Sequence, residues 1–109
     1  MQSLAEQVWN ELGPGYTESI YHRALEVLLR ENNIQYETER IIPVPFHDHV
    51  VGNLRADLIV EGNTIVELKS VKNMTESYRQ QIRNYLKLLN YSKGYLINFG
   101  GTELEVEEF

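Results

Sequence analysis

Three stretches rich in β-formers follow one another with almost no chain between them. They are 34–44, 50–60 and 64–71, separated only by Phe46-His47-Asp48-His49 and by the tight turn Glu61-Gly62-Asn63. Connections this short join neighbouring antiparallel strands, because a parallel crossover needs a dozen or more residues. Pro43 and Pro45 are expected to close the first strand. Ile65, Val66 and Leu68 in the third read as a buried central strand. On either side lie amphipathic segments. Leu4 to Leu12 forms a short helix that Gly13-Pro14-Gly15 stops. Thr17 caps a second helix over Glu18 to Glu31, ended by Asn32-Asn33. Thr75 caps a third that runs to about Leu89. Tyr95 to Phe99 is a fourth strand, and Gly100-Gly101 turns into a last one, Glu103 to Val106. The order α-α-β-β-β-α-β-β predicts an α/β layer with a mixed sheet.

The chain of 109 residues is expected to fold as one domain. With no cysteine, a disulfide scaffold, a cysteine-ligated metal site and a thiol nucleophile are all excluded. No apolar run approaches a membrane span. The first residues lack the basic start and apolar stretch of a signal peptide, so the expected location is the cytoplasm. The net charge of −6 argues against broad coating of nucleic acid, but its distribution is uneven. Residues 1–67 hold four bases and eleven acids, whereas residues 68–102 hold six bases and the single acid Glu76. That basic segment is either a solvated helix face or an anion-binding surface.

Several charges stand where apolar residues would be cheaper. On its helix Glu18 points the way of Tyr21, Leu25 and Leu29. An ionised carboxylate there is costly unless paired or bound to a cation, although a helix N-terminus also favours it. Asp57 lies late in the second strand, and pairing about Gly62-Asn63 brings it opposite Glu67 and Lys69. Glu67 and Lys69 are two apart and so share one face of an interior strand. Two carboxylates converging with a lysine suit a hard divalent cation and a water nucleophile, since Mg²⁺ takes oxygen ligands and keeps several waters. A salt bridge between Lys69 and Asp57 is the plainer alternative. On the next helix Gln81 and Tyr85 border the apolar stripe one turn apart. There they either offer an amide and a phenol to the site or simply pack. Arg79, Arg83 and Lys87 form a separate outer row that either tracks a phosphate backbone or is solvated. His47 and His49 have the spacing of a zinc pair, but no third ligand stands near.

Taken in order, these signals form a pattern. Gly15-Tyr-Thr-Glu18-Ser-Ile-Tyr21 reads as Gly-x-x-Glu-x-x-Tyr. Arg55-Ala56-Asp57-Leu58, Val66-Glu67-Leu68-Lys69, Gln81-Ile-Arg-Asn-Tyr85 and Leu96-Ile97-Asn98-Phe99 follow it. From about Val8 to Gly101 the chain resembles the GxxExxY family, a small branch of the PD-(D/E)XK nuclease superfamily. That resemblance implies a restriction-endonuclease-like αβββαβ core with a mixed central sheet flanked by helices. It also implies a Mg²⁺- or Mn²⁺-dependent nuclease that hydrolyses phosphodiester bonds, with DNA the expected substrate. Glu18, Asp57 and Glu67 would be the metal carboxylates and Lys69 the catalytic lysine. Gln81 and Tyr85 would match the Gln-x-x-x-Tyr element of exonuclease-like members. Tyr21, Arg79, Arg83 and Lys87 would support the site or contact nucleic acid. Two positions depart from the pattern: Ala56 stands where the superfamily has proline, and Trp9 where the family has histidine. The second reading is a nuclease-fold binding or accessory module with little turnover of its own. A small core offers little surface for a duplex, so a homodimer or protein partner is expected.

Overall fold

The computed structural model describes residues 1–109. Helices α1 (Gln2–Leu12) and α2 (Glu18–Glu31) precede strands β1 (Tyr36–Phe46), β2 (His49–Val60) and β3 (Thr64–Lys69). Helix α3 (Glu76–Leu89), β4 (Lys93–Asn98) and β5 (Glu105–Glu108) complete the chain. The five strands lie in sequence order in one sheet. β3 and β4 are parallel and every other neighbouring pair is antiparallel, so the sheet is mixed and α3 is the crossover.

The helix limits follow local chemistry. Gly13 and Gly15 take φ of 73° and 100°, values that L side chains rarely adopt, and so end α1. The Thr75 hydroxyl accepts the Tyr78 amide at 3.4 Å and starts α3, while Asn90 in the left-handed region stops it. Asn32 and Asn33 end α2, the second with φ of 57°.

β1 begins at Tyr36 rather than Ile34, β4 runs from Lys93 to Asn98 rather than from Tyr95 to Phe99, and β5 extends to Glu108; three further differences have a visible cause. Pro43 and Pro45 do not close β1, which continues to Phe46 with Pro43 opposite Asn53 and Pro45 opposite Val50. β1 is an edge strand, where a missing N–H costs little, and the register shifts between Val44 and Pro45. β3 ends at Lys69 rather than Val71. Beyond it the buried Asn98 side chain takes over the Val71 backbone, accepting its N–H at 3.0 Å and donating to its carbonyl at 2.9 Å. β5 begins two residues later than expected, at Glu105, because the Gly100-Gly101 turn is tied down first. The Gly100 amide donates to Asn98, and a Cβ on Gly100 would collide with the Ser70 and Val71 backbone.

Two apolar clusters sandwich the sheet. On one face α1 and α2 pack through Ala5, Val8, Tyr21, Leu25 and Leu29 onto Leu58, Val66, Leu68, Ile97 and Phe99. On the other, Ile82 and Tyr85 of α3 pack onto Ala56, Ile59, Ile65 and Leu96. Ala56 and Leu58 are two residues apart yet belong to opposite clusters. In a regular strand they would share a face, so β2 rotates at the residue between them, Asp57.

Candidate active site

Asp57 sits where both of its ladders are interrupted. Towards β3 the backbone pairing stops at Leu58 opposite Val66. Side chains then replace it: the Asp57 carboxylate accepts the Leu68 N–H at 2.8 Å, and the Glu67 carboxylate accepts the Asp57 N–H at 3.4 Å. Towards β1 the register skips the position facing Asp57. Glu39 there takes φ of 53°, and the Thr38 hydroxyl donates to the Asp57 carbonyl at 3.4 Å. The hairpin geometry read from Gly62-Asn63 thus brings Asp57 and Glu67 together, while β2 turns away from β3.

Ile65, Glu67 and Lys69 alternate onto the α3 face of β3. Glu67 is only 3% exposed. Burial, reinforced by the neighbouring Asp57 charge, pushes its carboxyl up to about 10. A carboxyl so placed holds its proton at neutral pH unless a cation replaces that proton. Lys69 does not pair with Asp57. Its ammonium donates to the Gln81 side-chain oxygen at 3.2 Å and lies 4.7 Å from the Tyr78 ring centroid. The Gln81 amide nitrogen lies 3.5 Å from the Tyr85 hydroxyl, which donates to the Arg55 carbonyl at 2.7 Å. Burial, with the Glu67 and Asp57 charges next, raises the Tyr85 phenol to about 12 and keeps it a donor. Tyr85 therefore both packs in the core and anchors β2 two residues before Asp57.

Glu18 starts α2 from the opposite layer. It is exposed rather than aligned under the apolar stripe, because the first residue of the helix overhangs the core that Tyr21, Leu25 and Leu29 enter. Partial burial and the Asp57 charge raise its pKa, while Lys69 and His22 oppose the shift. Glu18 thus lies within the fields of Asp57 and Lys69. No group of three histidine or carboxylate side chains closes into a metal cage. The Asp57–Glu67 donor set still fits a hydrated hard cation, which binds through one or two carboxylates and retains waters.

Tyr21 is fully buried and stacks on Phe99 at 4.4 Å between ring centroids. Its hydroxyl donates to the Gly13 carbonyl at 2.8 Å and accepts the Tyr16 amide at 3.2 Å. In the Gly-x-x-Glu-x-x-Tyr run it secures the loop that presents Glu18. Trp9 lies 6.4 Å from Phe99, centroid to centroid, at the edge of the same cluster.

The outer row of α3 is not a free cationic stripe. Arg79 grips Glu107 through two nitrogens, at 2.7 and 3.0 Å, and Arg83 meets Glu76 at 2.7 Å. Lys87 makes no ion pair. His47 lies in the β1–β2 turn and His49 opens β2; the His47 ring lies against Phe46 with centroids 4.3 Å apart. The largest surface cleft, about 600 Å³, lies elsewhere, over Lys72 and Gly100–Glu105. It holds none of the carboxylate–lysine set. A smaller cleft of about 430 Å³ has Lys69 in its wall. Sequence reasoning missed Thr38, for which no local signal exists, and Tyr78, which lies one turn before Gln81.

A half-buried Asp and a buried Glu on adjoining strands, with a lysine two residues after the Glu and a helix from each layer beside them, match a known class. The chain belongs to the PD-(D/E)XK nuclease superfamily, whose family model matches residues 1–109. Among solved structures it is similar to the crystal structure of SSO0001, with a TM-score of 0.65 and 24% identity. The match covers 83% of this chain and 48% of that one, so this chain spans about half the length of that protein. That likeness is one of fold. No curated protein matches the chain. No helix is long and apolar enough to cross a membrane.

Proposed function

We propose that the chain is a Mg²⁺- or Mn²⁺-dependent nuclease that hydrolyses phosphodiester bonds of DNA, acting as one PD-(D/E)XK domain over residues 1–109. The Gly15-x-x-Glu18-x-x-Tyr21 run favours the GxxExxY branch. One observation carries the reading: Asp57 and Glu67 share a buried strand junction with Lys69 on the Glu67 face. Asp57 and Glu67 would hold the cation, with Glu18 acting on its outer waters. When bound, the cation supplies Lewis-acid stabilisation of phosphate charge and a water of lowered pKa.

The remaining work falls to the chain's own groups. Lys69 sets its ammonium where charge develops on the phosphate, and Gln81 fixes its direction. Tyr85 keeps its proton and holds the Arg55 carbonyl, which fixes the approach of Asp57. The Leu68 amide orients the Asp57 carboxylate.

A second reading, an accessory module that requires a homodimer or protein partner for turnover, is favoured by the neutralisation of Arg79 and Arg83. Cleavage of plasmid and oligonucleotide DNA, together with the metal-induced change in melting temperature, tests the two. The nuclease reading expects metal-dependent cleavage and a stabilising shift, both lost in Asp57→Asn. A shift without cleavage in any metal supports the accessory module. No shift and no cleavage contradicts the metal site.

A further inference from the structure

The cleft of about 430 Å³ beside Lys69 lies between Leu54, on the β1–β2 ribbon, and the first half of α3. Tyr78, Gln80, Gln81 and Asn84 form its α3 wall, and Lys69 is its only charged side chain. In a chain of net charge −6 an acid-free lining is notable. The nearest acid on α3, Glu76, is tied to Arg79 and Arg83. Gln80 and Asn84 are exposed and hydrogen-bonded to each other at 3.2 Å, so two amides are already ordered at the mouth. Tyr78 offers a half-buried aromatic ring next to the Lys69 ammonium.

We infer that this cleft is a binding site for an unpaired nucleotide adjoining the scissile phosphate, with Tyr78, Gln80 and Asn84 as its specificity-determining residues. The inference rests on the nuclease reading above and adds the strand form of its substrate. Three arguments support a single strand over a duplex. Aromatic rings stack on bases only when these leave the double helix, and such stacking is the common platform of single-strand binders. Paired amides match the donor and acceptor edges that a base exposes when unpaired. A duplex interface covers about 1,000 Å² of protein or more, whereas seven side chains line this cleft and the neighbouring arginines are already engaged.

The test compares a fluorescein-labelled single strand with a blunt duplex of the same sequence, by anisotropy in Ca²⁺, for the parent and for Gln80→Ala/Asn84→Ala. Both residues are exposed on a helix, where alanine is well tolerated. The parent should prefer the single strand. The double variant should bind it about tenfold more weakly, the scale of two lost hydrogen bonds, with unchanged duplex affinity and melting temperature. Equal affinity of the parent for both forms, or a variant that loses both equally or neither, overturns the cleft assignment. If the parent still cleaves DNA with Mg²⁺, the nuclease reading survives that result. A parent that neither binds nor cleaves either form overturns both.

Discussion

The Asp57 carboxylate accepts the Leu68 amide at 2.8 Å, across a point where the β2–β3 backbone ladder has already ended. A side chain thus performs the joining task of a carbonyl, and its second oxygen is left to face Glu67 and any cation. Asp57→Asn keeps an acceptor for that amide but removes the charge. Without metal at neutral pH the variant should melt close to the parent temperature, because the Leu68 amide keeps its acceptor and Glu67 is already neutral there. In Mg²⁺ its melting temperature should not rise. A parental shift retained in Asp57→Asn would move the metal elsewhere.

Glu67 gives the fold a definite pH dependence. Its carboxyl is pushed from 4.5 to about 10 on folding, chiefly by burial. A group raised in this way contributes stability that is fully present below pH 4.5 and is lost as pH rises towards 10, because the folded state then holds the extra proton. Denaturation of the metal-free protein should show stability falling across that window. Glu67→Gln should flatten the fall and be the more stable protein at pH 8. Metal binding at pH 7 should release a proton, seen as a buffer-dependent binding heat, and Glu67→Gln should abolish the release.

Tyr21 and Tyr85 each serve a carbonyl that would otherwise lose a partner. Tyr85→Phe removes the donor to Arg55, and Tyr21→Phe the donor to Gly13. Each should cost about 0.5–1.5 kcal/mol in chemical denaturation, the usual net worth of one hydrogen bond, because both bonds are only part-buried. The Tyr21 change should also weaken metal-dependent cleavage by loosening the Gly13–Tyr16 loop ahead of Glu18. A Tyr21→Phe variant with parental stability would refute the anchoring role of its hydroxyl.

Of the outer α3 row, only Lys87 lacks an ion pair. Changing Arg79, Arg83 and Lys87 together to Gln should therefore lower the salt slope of DNA binding by about 0.7–0.9, one phosphate contact. A loss three times larger would mean that the arginines leave Glu76 and Glu107 for DNA. Binding measured over a salt series distinguishes these outcomes.

Much of this site was legible because it is written in local patterns. Thr17, Thr75 and the asparagine pair marked the helix ends, and the tight turn at Gly62 fixed the register that sets Asp57 against Glu67. The spacing of Glu67 and Lys69 gave their shared face. Contacts between distant segments were not legible. The helical wheel placed Arg79 on an outer face, but nothing in it showed that Glu107, 28 residues on, would rise from β5 to meet it. The prolines of β1 suggested a strand end because their edge position, which makes them harmless, is a property of the sheet. Glu18 shared an angle with Leu25 and Leu29, yet position along the helix, not angle, decides whether a side chain reaches the core.

Cleavage of a labelled oligonucleotide under single-turnover conditions, by the parent and by Lys69→Ala, in Mg²⁺ and in EDTA, tests the central claim most directly. The parent should cleave only with metal. Lys69→Ala should keep the Mg²⁺-induced rise in melting temperature and cleave about 10²-fold more slowly or worse, the scale of a positioned electrostatic or acid–base group. Equal cleavage by the two proteins, or cleavage by the parent in EDTA, would contradict the site built on Asp57, Glu67 and Lys69.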